Sequence, residues 1–431
     1  MGHRNQCYSF LFMICLVDGN NFFVSCERVF NPKLKNQKVV VLSNNDGCVI
    51  SRSNEAKAIG IKMGQPIFEL KNIIEKENVH VFSSNFILYG DMSDRIMSHL
   101  SQFSPEVEVY SIDEAFCDLS FLPQNWETLN EYGWKIKNTI KQGTGIPCGI
   151  GISYTKVLAK IANRIAKKSP KANGVLALIE DSHIEQALAL TEVGDIWGIG
   201  RQYANFLKQN NIFTAKNFRD ADENWVLKNM TIVGLKIQKE LKKENCMELE
   251  LFSKPKKSIV VSRSFAQYLH TQEELLAPFS HFVSSGCAKM RKQKSECSQI
   301  AIYLRTNPFA KNKPQYRVFQ NITLPFYTSC DFHILHAVET ALRNAYREGY
   351  EYKKGGVYFF SLSPQSNLPS NLFDQRDILK ERLIFEQYDI IRKKFGLSSL
   401  SMASALNNSW KPKFLLKSPN YTSKISETIL V

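Results

Sequence analysis

Three carboxylates stand where metal-assisted chemistry would need them: Asp18, at the end of an apolar run, and the adjacent pair Asp113 and Glu114 in SIDEAF. Two hard divalent cations roughly 3.5–4 Å apart require acidic oxygens converging from separate segments, because one cation activates an attacking hydroxyl while both steady the phosphate in transfer. Carboxylates from two strand ends meet that need. Adjacent strand residues point to opposite faces, so Asp113 and Glu114 reach one site only where the chain bends, and the sequence predicts a distortion there. Taken alone, an Asp-Glu pair is a weak signal and more often the mark of a solvated turn.

The elements that would position these groups are short. Residues 14–17 and 39–42 are apolar runs ending in polar residues, as buried strands do, and residues 54–61 read as a helix. Residues 106–119 alternate with period two around the acidic pair, the pattern of a strand and its turn. CGIGIS (148–153) is a further strand, and 156–168 is a basic amphipathic helix with Val157, Leu158, Ile161 and Ile165 at helical spacing. A mixed α/β catalytic domain follows. DIWGIG (195–200) is a glycine-bearing turn before a helix at 201–210, similar to a helix-hairpin-helix element, which grips a DNA backbone through peptide N–H groups.

SKPKKS (253–258) reads as an interdomain linker. Beyond it, strand-like runs at 258–263, 299–305, 317–324 and 356–360 with helices at 272–292 and 331–348 predict an α+β domain. After residue 360 the chain is rich in Ser, Asn and Pro and reads as partly flexible.

With 431 residues, two to four domains are expected. The net charge of +14 favours a polyanionic partner, and its distribution is uneven. Lys plus Arg against Asp plus Glu runs 29 to 28 over residues 1–250, 16 to 7 over 251–360 and 10 to 6 over 361–431. Most of the excess falls in one C-terminal domain, where a nucleic-acid groove is expected. The ten cysteines are scattered without a C-x-x-C pair or zinc-like spacing, which fits free thiols in a reducing cytoplasm. His333 and His336 share a helix face, where packing explains them better than metal. No apolar run reaches 18 residues, so no membrane-spanning helix is expected. Residues 8–17 superficially resemble a signal peptide but lead straight into Asp18; Met13 is read as the natural start, with residues 1–12 an extension.

The flanks of the acidic residues carry a resemblance. SIDEAFCDL matches a signature of the Y-family DNA polymerases, and VDGNNFFVSCE resembles their opening motif; SNNDGCVISRSNEAK, FSSNFILYGDMSDRIMS and DIWGIG extend the likeness, in its UmuC-type branch, from about Met13 to the tail. The resemblance implies that Asp18, Asp113 and Glu114 are ligands of two Mg²⁺ ions, with the Gly19 carbonyl completing one site. Phe23 would be the steric gate that excludes a ribose 2′-OH, and Phe22 its neighbour at the nucleotide. Lys57 and Lys167 match positions that meet the incoming triphosphate; Lys168 is interchangeable with Lys167 in the alignment, and Arg52 is a weaker candidate. Asn54 departs from the tyrosine many members carry.

A right-hand polymerase architecture is implied: a palm (13–29 and 83–181), small fingers (30–82), a helical thumb with the hairpin element (182–250), an α+β little finger (256–360) and a tail (361–431). DNA contacts are expected from Trp197, Gly198 and Gly200 in the hairpin turn and from Lys289, Arg291, Lys292 and Lys294. PSNLFD in the tail resembles the peptide with which the family binds the sliding clamp, with Leu372 and Phe373 as anchors and Pro369 in place of the usual leading Gln. The implied activity is error-prone translesion synthesis in the SOS response, by nucleotidyl transfer from dNTP to a primer 3′-OH. Implied partners are primed template DNA, a processed UmuD dimer, RecA and the clamp, in a cytoplasmic, nucleoid-associated bacterial enzyme. The competing readings are a nucleotide cyclase, which would have little use for the hairpin turn or the basic domain, and a DNA-binding scaffold with a decayed site, against which the retained carboxylates and lysines argue.

Overall fold

The computed structural model describes residues 12–252, 254–367, 376–396, 399–406 and 414–428. Residues 1–11, and with them the expected extension, lie outside the described residues. Contacts divide the chain into two units, the second being Lys254–Phe414 and the first comprising the preceding residues together with the chain from Leu415 onward.

The first unit opens with β1 (Ile14–Gly19) and α1 (Phe22–Phe30) and continues through β2 (Val39–Leu42), β3 (Val49–Arg52), α2 (Asn54–Ala58), α3 (Lys71–Lys76), β4 (His80–Ser83), α4 (Phe86–Leu100), β5 (Val107–Val109), β6 (Glu114–Asp118), α5 (Trp126–Thr144), β7 (Cys148–Ser153), α6 (Lys156–Lys168) and β8 (Val175–Ala177). The central sheet has the order β5-β6-β1-β7-β8, antiparallel except for the β7–β8 pair. A second, three-stranded sheet runs β3-β2-β4. Four helices follow: α7 (Asp181–Leu190), α8 (Arg201–Gln209), α9 (Ala215–Arg219) and α10 (Glu223–Leu241). They share a core of Ile184, Leu188, Leu207, Phe218 and Ile237 with the apolar side of α6.

Alternation along β1 sorts the two faces of the central sheet. Cys15 and Val17 join Val24, Leu88, Met92, Ile136 and Ile140 of α1, α4 and α5 on one face. Ile14 and Leu16 meet Phe116 and Ala159 on the other, beneath α6. Asp18 continues the Ile14–Leu16 series, so period two alone directs it to the α6 side. The helix lies close to the sheet because β7 carries glycine there: a Cβ on Gly151 would stand 2.3 Å from the Ala159 carbonyl oxygen and the Asn163 nitrogen.

The second unit contains β9 (Ile259–Leu269), α11 (Gln272–Lys292), β10 (Ser295–Thr306), β11 (Arg317–Thr328), α12 (Asp331–Ala345), β12 (Tyr352–Pro364) and α13 (Ile378–Phe395). Its antiparallel sheet has the order β11-β10-β12-β9, with α11 and α12 packed on its apolar residues. The last strand runs to Pro364, and the segment read as partly flexible contains the 18-residue helix α13, which Arg382 ties to Glu296 at 2.7 Å. Among the described residues no helix is long and apolar enough to cross a membrane, and the described cysteines are all free thiols.

Candidate active site

Register brings the acidic residues together. Asp18 on β1 is the direct cross-strand partner of Glu114 on β6 and of Gly149 on β7. Directly opposed residues project to the same face, with Cβ atoms roughly 4.5–5.5 Å apart. Asp113 precedes the strand in a bend over residues 111–113. The expected distortion is therefore present: the amides of Tyr110 and Ser111 both donate to the Glu114 carbonyl, and the Gly19 amide donates to the Asp113 carbonyl at 2.8 Å. The Ser111 hydroxyl donates to Asp113 Oδ1 at 2.6 Å, tying this carboxylate to the bend at the cleft wall.

Helix α6, N-capped by the Thr155 side chain, delivers the counter-charges. Lys167 Nζ lies 2.6 Å from Asp18 Oδ1, and Lys160 Nζ lies 2.6 Å from Glu114 Oε1. The two lysines are seven residues apart, about two helical turns, and so share the face that meets the sheet. Burial raises the Asp18 carboxyl above its ordinary range; Lys167 opposes the shift and Glu114 adds to it. Partly desolvated carboxylate oxygens paired with lysines are a donor set that a hard divalent cation suits, so these residues fit such ions. Lys160 also lies over the Tyr110 ring, 4.8 Å from its centroid.

A cleft of about 750 Å³ opens beside these residues, lined by Asp18, Gly19, Phe23, Asp113, Lys57 and Lys167 among others. That volume lies within the range of small-ligand sites. Asn21, with φ 47°, turns the chain sharply into α1 and sets Phe23 at the wall. The Phe23 ring stacks on Tyr89, with centroids 4.6 Å apart and planes inclined by 18°. Phe22 is only 3 % exposed and packs into the core beside Gly19. Across the cleft, Lys57 Nζ donates to Asn21 Oδ1 at 2.6 Å and to Asn54 Oδ1 at 3.3 Å. Burial, then Arg52 and Lys167, lower the Lys57 pKa. Arg52 itself donates to the Ile61 carbonyl. Lys168 lines the same cleft without replacing Lys167 at Asp18.

The expected DNA contacts fare unequally. Gly200 caps α8, and Gly198, with φ 91°, leaves no room for a Cβ, which would stand 2.6 Å from Ile237 Cδ1. Trp197 is half-buried, its Nε1–H donating to the Tyr110 hydroxyl at 3.1 Å, so its indole braces the turn against the acidic hairpin. At the end of α11, Lys289, Lys292 and Lys294 are exposed. Arg291 is not: its side chain is 8 % exposed and bridges Asp331 at 2.6 Å and Asp389 at 2.7 Å. This corrects the expectation for Arg291, whose guanidinium is committed inside the unit. Leu372 and Phe373 lie outside the described residues.

Sequence reasoning missed Lys160 and Tyr89. The first was detectable from its spacing to Lys167; the second depends on α4 packing against α1. A separate trio, Cys330, His333 and Glu381, has ligand atoms within 4.8 Å of one another, but Glu381 also bridges Arg376 at 3.6 Å, which supplies positive charge there already.

The model of the impB/mucB/samB family matches residues 17–164 and that of the family's C-terminal domain residues 256–372. The chain is 37 % identical to the protein UmuC of Salmonella typhimurium over 97 % of its own length and all of the relative's. It is 38 % identical to ImpB, also of Salmonella typhimurium, over 84 % of this chain and 86 % of that one. Among solved structures, a Y-family DNA polymerase chimera superposes with a TM-score of 0.65 at 22 % identity, covering 82 % of this chain and 99 % of the chimera, a likeness of fold. Polymerases of this kind depend on divalent metal and bind DNA. By both matched regions and by its near full-length relatives, the chain belongs to the impB/mucB/samB family of Y-family DNA polymerases.

Proposed function

We propose that Asp18, Asp113 and Glu114, with the Gly19 carbonyl, form the metal-binding centre at which this chain joins a dNTP to a primer 3′-OH. The protein is a DNA-directed DNA polymerase acting in translesion, error-prone synthesis. The observation that supports the site assignment is the cross-strand pairing of Asp18 with Glu114, with Asp18 and Asp113 both lining the cleft. Two Mg²⁺ ions bound there would activate the primer hydroxyl and neutralise charge on the transferring phosphate. Lys57 and Lys167 would contact triphosphate oxygens and balance charge on the departing pyrophosphate. Phe23 would press against the sugar at C2′, and Lys160 would orient Glu114.

The central sheet with α1, α4, α5 and α6 would be the palm (13–29, 83–181), the three-stranded sheet the fingers (30–82), α7–α10 the thumb (182–250) and the sheet of the second unit the little finger (256–360). Lys289, Lys292 and Lys294 would meet phosphates there, with the Gly198–Gly200 turn gripping the backbone from the thumb. A processed UmuD dimer, RecA and the sliding clamp would be partners in a cytoplasmic, nucleoid-associated complex. Primer extension on undamaged and abasic templates, with and without UmuD′ and activated RecA, tests this reading. Magnesium-dependent synthesis past the abasic site supports it, and tight DNA binding with no synthesis under any condition overturns it.

A further inference from the structure

The chain's last described segment, residues 414–428, bridges to β4 and is hydrogen-bonded to Glu27 and Asn85, two residues linked to the aromatic packing of the ring proposed as the sugar gate. It enters as an added edge strand: Lys417 bridges Ser83 in parallel beside β4, the Ser83 amide donates to the Leu416 carbonyl at 3.0 Å and the Leu416 amide donates to Ser83 Oγ at 2.9 Å. Farther on, Tyr421 stacks on Phe30 of α1, with centroids 4.9 Å apart and planes inclined by 7°.

Between these anchors, Ser418 is hydrogen-bonded to Glu27 and Asn85, each linked to the rings packed on Phe23. Its hydroxyl donates to Glu27 Oε1 at 3.1 Å, the oxygen that also accepts the Tyr89 hydroxyl at 2.6 Å. Glu27 is 1 % exposed, and a carboxylate removed from water in this way depends on the hydroxyls that solvate it. Tyr89 is the ring on which Phe23 stacks. A second route runs through Asn85. Its amide nitrogen donates to Ser418 Oγ at 3.0 Å, the Ser418 carbonyl at 3.3 Å and the Pro419 carbonyl at 3.1 Å, while its Oδ1 caps α4 by accepting the Leu88 amide. Helix α4 carries both Phe86 and Tyr89, two of the rings packed on Phe23. Without the segment, Glu27 would lose one of two hydroxyl donors and the Asn85 amide all three of these acceptors, at the start of the helix that backs the gate.

We propose that this C-terminal segment is a positioning element of the sugar gate: the Ser418 hydroxyl, acting through Glu27–Tyr89 and Asn85–α4, holds the Phe23 ring in place and so sets discrimination between dNTP and rNTP. The proposal rests on the reading of Phe23 as the gate. Both are tested by kcat/KM for dNTP and for the matching rNTP in the full-length protein and its Phe23→Ala, Ser418→Ala, Ser418→Thr and Tyr89→Phe variants, with thermal melting of each. Ser418→Ala and Tyr89→Phe are expected to erode the dNTP preference by roughly two- to tenfold, the factor corresponding to one hydrogen bond's net contribution, through a lower rNTP KM. Ser418→Thr, which keeps the hydroxyl, restores the preference. Tyr89→Phe keeps the stacked ring and carries the test where Ser418→Ala is unstable. If Phe23→Ala collapses the preference while Ser418→Ala and Tyr89→Phe leave it at the wild-type ratio, the positioning role is overturned and the gate stands. If Phe23→Ala leaves the preference intact, the gate reading fails and the proposal with it.

Discussion

The ammonium of Lys167 lies 2.6 Å from the carboxylate of Asp18, joining the last turn of α6 to the end of β1. One lysine thereby balances a half-buried acid on the wall of the cleft that would take a triphosphate. Lys167→Ala is expected to lower kcat/KM for dNTP by about 10²–10³-fold, the scale for losing one charge-stabilising donor. Lys168→Ala should cost far less. Single-nucleotide incorporation kinetics on primed DNA checks both.

Phe23→Ala removes from the cleft wall the ring proposed as the sugar gate. Because a packed aromatic excludes a hydroxyl by bulk alone, the expected loss of dNTP-over-rNTP selectivity is roughly 10- to 200-fold. Competition between dNTP and rNTP in primer extension measures it, and Phe22→Leu, a change in the core, should leave selectivity largely intact.

In the second unit, Arg291 and its lysine neighbours should separate into two phenotypes. Arg291→Met leaves Asp331 buried without its partner and should destabilise the fold by about 3–5 kcal/mol. Replacing Lys289, Lys292 and Lys294 together should leave the melting temperature nearly unchanged but flatten the salt dependence of DNA binding, by about 0.9 in logarithmic slope per lost phosphate contact. Urea unfolding and salt-titrated DNA binding distinguish them.

Burial raises the Glu27 carboxyl above its ordinary range, against the opposing hydrogen bonds of Tyr89 and Ser418. The folded state therefore holds this proton more tightly than the unfolded chain does. The resulting stability is fully present below the ordinary Glu range and is lost as pH rises through the folded value. Glu27→Gln should abolish that contribution, so the variant gains stability relative to wild type as pH rises from about 4 towards neutrality. Urea midpoints of the two proteins across this interval provide the check.

Much of this arrangement follows from local pattern. β2, β7, α6 and α11 have the bounds read from the sequence, because each is a buried apolar run or an amphipathic period between polar or glycine-bearing breaks. The turn at Asp113 was expected because no regular strand turns adjacent carboxylates to one face. What local pattern did not provide depends on distant partners. Arg291 lies in a basic run, yet it follows Val283 and Cys287 at intervals of four on the buried face of α11, and its acids come from Asp331 and Asp389. Helix α13 follows a Ser-, Asn- and Pro-rich stretch that reads as loop. The contact of Ser418 with Glu27 spans 391 residues, beyond any periodicity.

Asp18 on β1, Glu114 on β6 and Asp113 in the bend before β6 are proposed to make one metal-dependent polymerase centre. Primer extension in Mg²⁺ by wild type, Asp18→Asn, Asp113→Asn and Glu114→Gln, with DNA affinity measured for each, tests it most directly. The account predicts robust extension by wild type and its loss in all three variants while DNA binding and folding persist. Wild-type-level extension by Asp113→Asn would contradict it.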